Sequence, residues 1–103
     1  MTGADVTRLI EAEVAGDWDR ENLHGCTVRR CLIEPERRTV LNPPDGDPVD
    51  VWIVLEEEPE TRDGYKVIYD DVNESFGLAY PDRKGVSTLV GLYGSFLTAY
   101  DGM

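Results

Sequence analysis

Apolar and polar positions alternate over two stretches that flank an acidic segment in the middle of the chain. The stretches are Tyr65–Tyr69 and Phe76–Tyr80, and the segment between them is Asp70–Glu74. Alternation with a period of two is typical of half-buried strands, so the pattern predicts a hairpin. Asp and Asn favour turns because their side chains bond nearby backbone, so Asp70–Glu74 is predicted to be the hairpin tip. A calcium loop is the alternative, although the segment lacks EF-hand spacing and contains no glycine.

Three further segments complete the predicted sheet. The apolar run Val49–Leu55 predicts a central strand that is buried on both faces. Cys26–Ile33 is rich in β-forming residues, and Arg37–Leu41 is predicted to return beside it after a turn at Glu34–Glu36, where a proline interrupts the ladder. Asn42–Pro48 contains three prolines and one glycine, which predicts a surface connector.

Helical spacing of apolar residues predicts one helix near each end of the chain. Near the N-terminus these residues are Val6, Leu9, Ile10 and Val14. Thr2 and Asp5 can form a capping box, which places this helix at about residues 3 to 15. Near the C-terminus Ser87 can cap a helix whose interior contains Gly91 and Gly94. Its apolar stripe comprises Leu89, Val90, Tyr93, Phe96, Leu97 and Tyr100. Interior glycines cost helix stability, which suggests a close approach to the sheet or to another chain.

The order of these elements predicts an α+β fold. We expect a four- to five-stranded, mostly antiparallel sheet with an N-terminal and a C-terminal helix packed on one face. A chain of 103 residues fits a single domain spanning residues 1–103.

The charge changes the functional picture most. The net charge is −11, with 21 acidic and 10 basic residues. Between Asp45 and Asp82 only Arg62 and Lys66 oppose twelve acids. Binding to nucleic acid is therefore disfavoured, because phosphate recognition needs a basic footprint. No apolar run is long enough to span a membrane. An acidic surface favours either solubility alone or steering towards a basic protein partner.

The cysteines and the first residues predict a reduced, cytoplasmic protein. Cys26 and Cys31 are five positions apart, which on a strand places them on opposite faces where no disulfide can close. We expect two buried thiols. The start MTGADVTRLIEAE lacks the pattern of a signal peptide. Ligand-type residues are too few nearby for a zinc site, and we expect no metal and no cofactor.

Catalysis by nucleophilic attack has one candidate pair. His24 is the only histidine, and Cys26 follows two residues later. No third residue that would orient them is evident, so we expect the protein not to be an enzyme and keep a small His24/Cys26 enzyme as an alternative. Adjacent carboxylates are plentiful, but acid–base work would need one of them to be desolvated.

The C-terminal half resembles small bacterial domains of unknown function that include immunity proteins of polymorphic toxin systems. The resemblance rests on VWIVLEEEPETRDGYKVIYDDVNESFGLAY and the closing GLYGSFLTAYDGM. It implies a cytoplasmic, non-catalytic protein that shields the active site of a toxin. Toxins that cut nucleic acid are basic, and an acidic inhibitor gains association rate and can mimic phosphate.

The function predicted from these features is an acidic protein-binding module, of the immunity type, for a basic toxin. Its candidate contact residues are carboxylates that could form one patch and aromatic side chains that could anchor it. They are Glu56, Glu57, Glu58, Glu60, Asp70, Asp71, Glu74, Tyr65 and Tyr69. The alternative is a structural domain that forms a homodimer through its glycine-bearing C-terminal helix.

Overall fold

Five strands follow one another around a closed barrel in a computed structural model that describes residues 1–81 and 86–103. The strands are β1 (Leu32–Asn42), β2 (Asp47–Glu58), β3 (Asp63–Asp70), β4 (Ser75–Pro81) and β5 (Ser87–Gly94). Sequential strands pair antiparallel, and the barrel closes where β5 runs parallel to β1 with Leu41 opposite Thr88. The helices are α1 (Gly3–Val14), α2 (Val28–Cys31) and α3 (Phe96–Asp101). The α+β class, the mostly antiparallel sheet and the two terminal helices are confirmed.

The N-terminal helix begins and ends as its local sequence predicts. The Thr2 side chain accepts a hydrogen bond from the Asp5 backbone at 3.3 Å, and the Asp5 carboxylate accepts one from the Thr2 backbone at 2.8 Å. Val6, Ile10 and Val14 form the buried stripe. These bonds satisfy backbone donors that a helix start leaves unpaired, so the helix is specified by residues within a few positions.

The two terminal helices are tied to each other and to the loop before α2. The Glu13 carboxylate of α1 accepts hydrogen bonds from the backbone of Phe96 and Leu97 at 2.8 and 3.2 Å. The fully buried Tyr100 donates to the backbone oxygens of Arg20 and Cys26. Burial raises the pKa of Tyr100 to about 12, so its hydroxyl stays protonated and remains a donor at neutral pH.

Apolar side chains pack in two layers because the barrel wall has an inner and an outer face. The inner layer fills the barrel and consists of Val40, Val51, Ile53, Ile68, Ala79 and Leu89. The outer layer lies between the wall and the helices and includes Val54, Leu55, Val67, Tyr69, Phe76 and Leu78 against Ile10, Phe96 and Tyr100. Residues on opposite faces of β3 and β4 alternate between the layers, as the pattern along these strands predicts.

The predicted hairpin from Cys26–Ile33 to Arg37–Leu41 is wrong. Thr27 caps the short helix α2 by accepting a hydrogen bond from the Arg30 backbone at 3.2 Å, and the strand begins only at Leu32. Glu34–Glu36 is not a turn but part of β1, where the pairing with β2 shifts register between Leu32 and Glu36. Proline is tolerated at such a bulge because no ladder donor is required there.

The predicted C-terminal helix is wrong over most of its length. Ser87–Gly94 forms β5, and only Phe96–Asp101 is helical, with Ser95 rather than Ser87 as its cap. Pairing with β4 shifts register at Val90 and again at Tyr93, each of which is an extra residue. Two bulges interrupt the alternation of a strand and imitate the spacing of a helix. Gly91 and Gly94 therefore lie in a strand, and the helix-mediated homodimer loses the observation that suggested it.

The two cysteines are buried as predicted, but they form a disulfide rather than two thiols. Their Cα atoms are 6.3 Å apart. The opposite-face argument fails because Cys31 ends a helical turn instead of lying on a strand with Cys26. A disulfide is typical of oxidising compartments, so the cysteines no longer support the cytoplasmic location, which stays a prediction.

We predict that Gly77→Ala destabilises the barrel by about 3 kcal/mol, because overpacking without room costs on the order of 1–3 kcal/mol or more. A methyl group at Gly77 would overlap the backbone oxygen of Gly91 on the neighbouring strand. Gly91→Ala is the control, since its added carbon would meet the side chain of Tyr93, which is exposed and can move. Urea unfolding measures both, and equal losses would contradict the close approach of β4 and β5.

We predict that reduction of the disulfide lowers the free energy of unfolding by about 2 kcal/mol, because the bridge restricts a short loop of the unfolded chain. Urea unfolding with and without dithiothreitol measures the change. The double variant Cys26→Ala/Cys31→Ala is the control, because dithiothreitol should have no effect on it. Unfolding curves of the wild type that do not respond to dithiothreitol would count against the bridge.

Candidate functional site

The predicted acidic residues lie at opposite ends of β3 and do not form one patch. Glu56, Glu57, Glu58 and Glu60 surround the β2–β3 connection, whereas Asp70, Asp71 and Glu74 belong to the β3–β4 turn. Glu58 lies opposite Asp63, about 23 Å from Asp70 along β3 at the usual rise of a strand, and Glu56 lies opposite Lys66, about 13 Å from Asp70. Asp82, another of the acids counted above, lies outside the described residues.

Glu56 is the centre of a buried ion cluster rather than part of an exposed run. Its side chain is 1% exposed and accepts hydrogen bonds from the Arg62 guanidinium at 2.8 and 3.0 Å. The Lys66 ammonium lies 3.5 Å from the same carboxylate and donates to the Arg62 backbone oxygen at 2.8 Å. Glu36 joins from β1 and accepts from Arg62 at 2.5 Å. The cluster lies near the β2–β3 end of the barrel, where β2 continues through Glu58 instead of stopping at Leu55 as predicted.

Hydrogen bonding favours the charged forms of Arg62 and Glu36 in this cluster. Bonds to Glu56 and Glu36 raise the pKa of Arg62. The hydrogen bond from Arg62 lowers the pKa of Glu36, against a smaller opposing effect of burial. Opposite charges in contact favour the charged form of each partner.

The remaining acids at this end have modest roles. Glu57 accepts a long hydrogen bond, 3.4 Å, from the Tyr65 backbone. Glu58 lies 3.4 Å from the Thr61 hydroxyl, and Glu60 lies 3.7 Å from Arg30. Exposed pairs of this kind contribute about 0–1 kcal/mol, so these three carboxylates are mainly solvated.

The acidic tip of the β3–β4 hairpin is a turn, as predicted. Asp70 is buried and accepts hydrogen bonds from the backbone of Val72 and Asn73 at 3.0 and 3.2 Å, and from the Asn73 amide at 2.7 Å. Burial acts to raise the pKa of Asp71, but the hydrogen bond from Arg37 at 3.1 Å and the Arg37 charge, with further hydrogen bonds, lower it below its usual value. Only Glu74 presents a free carboxylate at the tip. Among the described residues no group of three acids, cysteines or histidines is arranged to hold a metal ion.

The two predicted aromatic anchors are packing residues. Tyr69 is 4% exposed and lies against Phe76, with ring centres 4.6 Å apart. Tyr65 is half-buried and meets Tyr80 edge-on at 4.9 Å. Tyr69 is therefore part of the core, whereas Tyr65 remains partly accessible at the surface.

A cavity of about 860 Å³, which the sequence analysis missed, lies beside the ion cluster at the β2–β3 end of the barrel. Its charged lining comprises Arg38, Arg62, Asp63 and Lys66, and its apolar lining comprises Val40, Ile53, Pro81 and Val86, with Tyr80 at one side. The cations in this lining are already paired with Glu36 and Glu56. The cavity therefore offers satisfied charges and a small apolar floor. No sequence signal could have located it, because its lining comes from all five strands.

A second groove, of about 520 Å³, has α1 on one side and the strands β1 and β2 on the other. Trp52 forms part of its wall, and the Arg37 guanidinium stacks on the indole with its carbon 5.4 Å from the ring centre. Arg37 thus bridges the ring of Trp52 and the carboxylate of Asp71. This cation–π contact is a structural contact on the outer face of β2.

The structure does not assemble the alternative His24/Cys26 site. Cys26 is in the disulfide, so it has no thiolate to act as a nucleophile. His24 is exposed, its nearest aromatic neighbour is Tyr65 at 6.0 Å, and neither His24 nor Cys26 lines the two cavities.

The longest helix, α1, has 12 residues, and no helix in residues 1–81 or 86–103 is long and apolar enough to cross a membrane.

Comparison of the chain with protein-family models, curated proteins and solved structures finds no match.

We predict that Glu56→Gln lowers the free energy of unfolding by about 3 kcal/mol, because removing one partner of a buried ion pair leaves the other uncompensated. Glu58→Gln, two residues away and exposed, is the control and should change stability by less than about 0.5 kcal/mol. The double variant Glu56→Gln/Lys66→Met should recover part of the loss, since it removes both charges. Thermal and urea unfolding measure all three, and a neutral Glu56→Gln would contradict the buried cluster.

Proposed function

We propose that the protein is a non-catalytic acidic module that binds a basic protein partner, with an immunity-type inhibitor of a basic toxin as the form that the sequence resemblance suggests. The observation that carries the proposal is that the lysine and arginine side chains of the described residues are already paired with carboxylates of the same chain.

Every basic side chain in the described part of the chain is paired with a carboxylate of the same chain. Ten residues are basic, and eight of them are described. The pairs are Arg8–Asp5, Arg20–Asp101, Arg29–Asp19, Arg30–Glu60, Arg37–Asp71, Arg38–Glu36, Arg62–Glu36, Arg62–Glu56 and Lys66–Glu56. The charge left for a partner on this part of the surface is therefore negative. A field of one sign steers an oppositely charged partner and raises the association rate.

The end of the barrel that carries the β1–β2 and β3–β4 turns is the best candidate contact face. Successive turns of a meander alternate between the two ends, so these two turns share one end. Asp45, Asp47 and Glu74 are exposed there and have no ion pair or hydrogen bond with another described side chain. Val72, which is 83% exposed, adds an apolar contact beside Glu74. Carboxylates around an apolar centre are a common arrangement for binding a basic protein.

A partner that binds nucleic acid would fit this face. Such proteins hold phosphate with lysine and arginine, and clustered carboxylates can occupy the same cations. The free acids at the tip, rather than the buried Glu56 and Asp70, would make these contacts. Of the candidates named from sequence, Glu74 stays within the proposed face, while Glu57, Glu58 and Glu60 lie at the other end.

We expect the purified protein to capture a basic protein from its own host at low salt, and the affinity of the purified pair to fall as salt increases. Calorimetry on that pair then locates the face. Asp45→Asn/Asp47→Asn/Glu74→Gln should weaken binding at least tenfold. The control Glu58→Gln/Glu60→Gln/Asp63→Asn removes the same charge at the opposite end and should weaken it less than threefold.

Two results would contradict the proposal. Recovery of no basic protein at low salt would refute the function. Stronger weakening by the control variant would move the contact face to the β2–β3 end, against the assignment made above.

A further inference from the structure

The strand β5 has an open edge at the end of the barrel that carries the proposed contact face. Its pairing with β1 is a single residue pair, Thr88 opposite Leu41, and β1 ends one residue later at Asn42. Beyond Thr88, β5 pairs with β4 on one side, and on its other side the described residues supply no strand. An unpaired strand edge presents backbone donors and acceptors that can bind another chain.

The open edge carries two bulges, which are one of the features that protect an edge, but it lacks charged residues, proline and a covering helix among the described residues. Residues 89–94 contain no charged residue and no proline, and no helix covers their exposed side chains. Val90, Leu92 and Tyr93 are 53%, 38% and 43% exposed. The bulges at Val90 and Tyr93 limit the stretch that can pair to about four or five residues, which is the length of a short added strand.

Acidic residues flank this strand on both sides. The parallel register places the start of the β1–β2 turn alongside Val90, so Asp45 and Asp47 lie on the β1 side. On the β4 side, Gly94 pairs with Phe76 and its backbone donates to the Ser75 hydroxyl at 3.0 Å, next to Glu74. A strand that added to the open edge would therefore lie on the side of Asp45 and Asp47, with β5 between it and Glu74.

We propose that β5 binds an extended basic segment of the partner protein as an added strand. Main-chain hydrogen bonds to residues 90–94 supply the affinity, and side chains that alternate along the segment supply the specificity. Lysine or arginine on one face of the segment meets Asp45 and Asp47, while apolar side chains on the other face meet Val90 and Leu92. This inference rests on the proposed function and specifies how its partner is held.

Charge favours this occupant over a second copy of the chain. Two copies that joined through β5 would bring Asp45 and Asp47 of each copy towards each other, and each copy has a net charge of −11. Like charges across an interface oppose association, whereas a basic segment is attracted. The edge is therefore matched to a chain of opposite charge.

The experiment uses a synthetic octapeptide of alternating lysine and valine as the probe, with its dissociation constant measured by calorimetry at low salt. The control peptide has the same sequence but is N-methylated at every second residue, which removes half of its backbone donors and keeps its charge. We expect the control peptide to bind at least tenfold more weakly. Amide hydrogen exchange of residues 90–94 in the wild-type protein should slow when the unmodified peptide is added.

A matched pair of variants separates the edge from a general effect of added charge. Val90→Lys places a cation on the edge and should weaken binding at least tenfold. Leu23→Lys makes the same change at a more exposed position in the loop before α2, outside the proposed contact face, and should weaken it less than threefold. Circular dichroism checks that both variants are folded, and the exchange measurement on the wild type does not depend on either of them.

The outcomes distinguish the two proposals. Equal binding of both peptides, or unchanged exchange at residues 90–94, would overturn strand addition and leave the acidic module intact. Binding of the basic protein partner without binding of the peptide would also overturn strand addition alone. A dimer in sedimentation whose residues 90–94 are protected without peptide would assign the edge to a second copy and overturn the inference.

Discussion

Closure of a five-stranded meander is the constraint on which the rest of the structure depends. To return to β1, the sheet must curve, and the two bulges of β5 are features that bend a strand. Gly77 permits the approach because a side chain there would overlap the backbone of Gly91. Closure divides the apolar residues into an inner and an outer layer and sets the ends at which the turns lie. The contact that closes the barrel is short, since β5 pairs with β1 at one residue pair and no described strand pairs with the rest of that edge.

The distribution of charge follows from the same geometry. Strand β2 carries Glu56 into the end of the barrel, where a lone carboxylate would be unfavourable, and Arg62 and Lys66 lie close enough to compensate it. Elsewhere the cations pair across the surface with acids from other elements, as Arg20 does with Asp101. The chain thus uses its described cations internally, and the carboxylates of the turns remain for a partner. Buried carboxylates such as Glu56 therefore contribute to stability, whereas the exposed carboxylates of the turns serve the proposed binding.

Features that depend on nearby residues were predicted correctly from sequence. The cap of α1, the buried stripe of Val6, Ile10 and Val14, and the turn made by Asp70 each involve positions no more than a few residues apart. Errors arose where a bulge changed the period of the pattern. Val90 and Tyr93 gave β5 the spacing of a helix, and Pro35 indicated a turn although it lies at an irregularity within β1. The cysteines were misjudged because the helical turn of α2 changed their relative orientation.

The sequence by itself determined the α+β class, the acidity of the surface, the N-terminal helix and the central hairpin, because composition and short-range periodicity are sufficient for these. Only the tertiary structure decided which carboxylates are exposed. The consecutive Glu56, Glu57 and Glu58 look alike in sequence, yet Glu56 is buried against Arg62 and Lys66 and Glu58 is exposed, because the pairing of β2 with β3 shifts register between them. The open edge of β5 was also invisible in sequence, since it depends on where β1 stops when the barrel closes. Long-range pairing, rather than residue type, places both features.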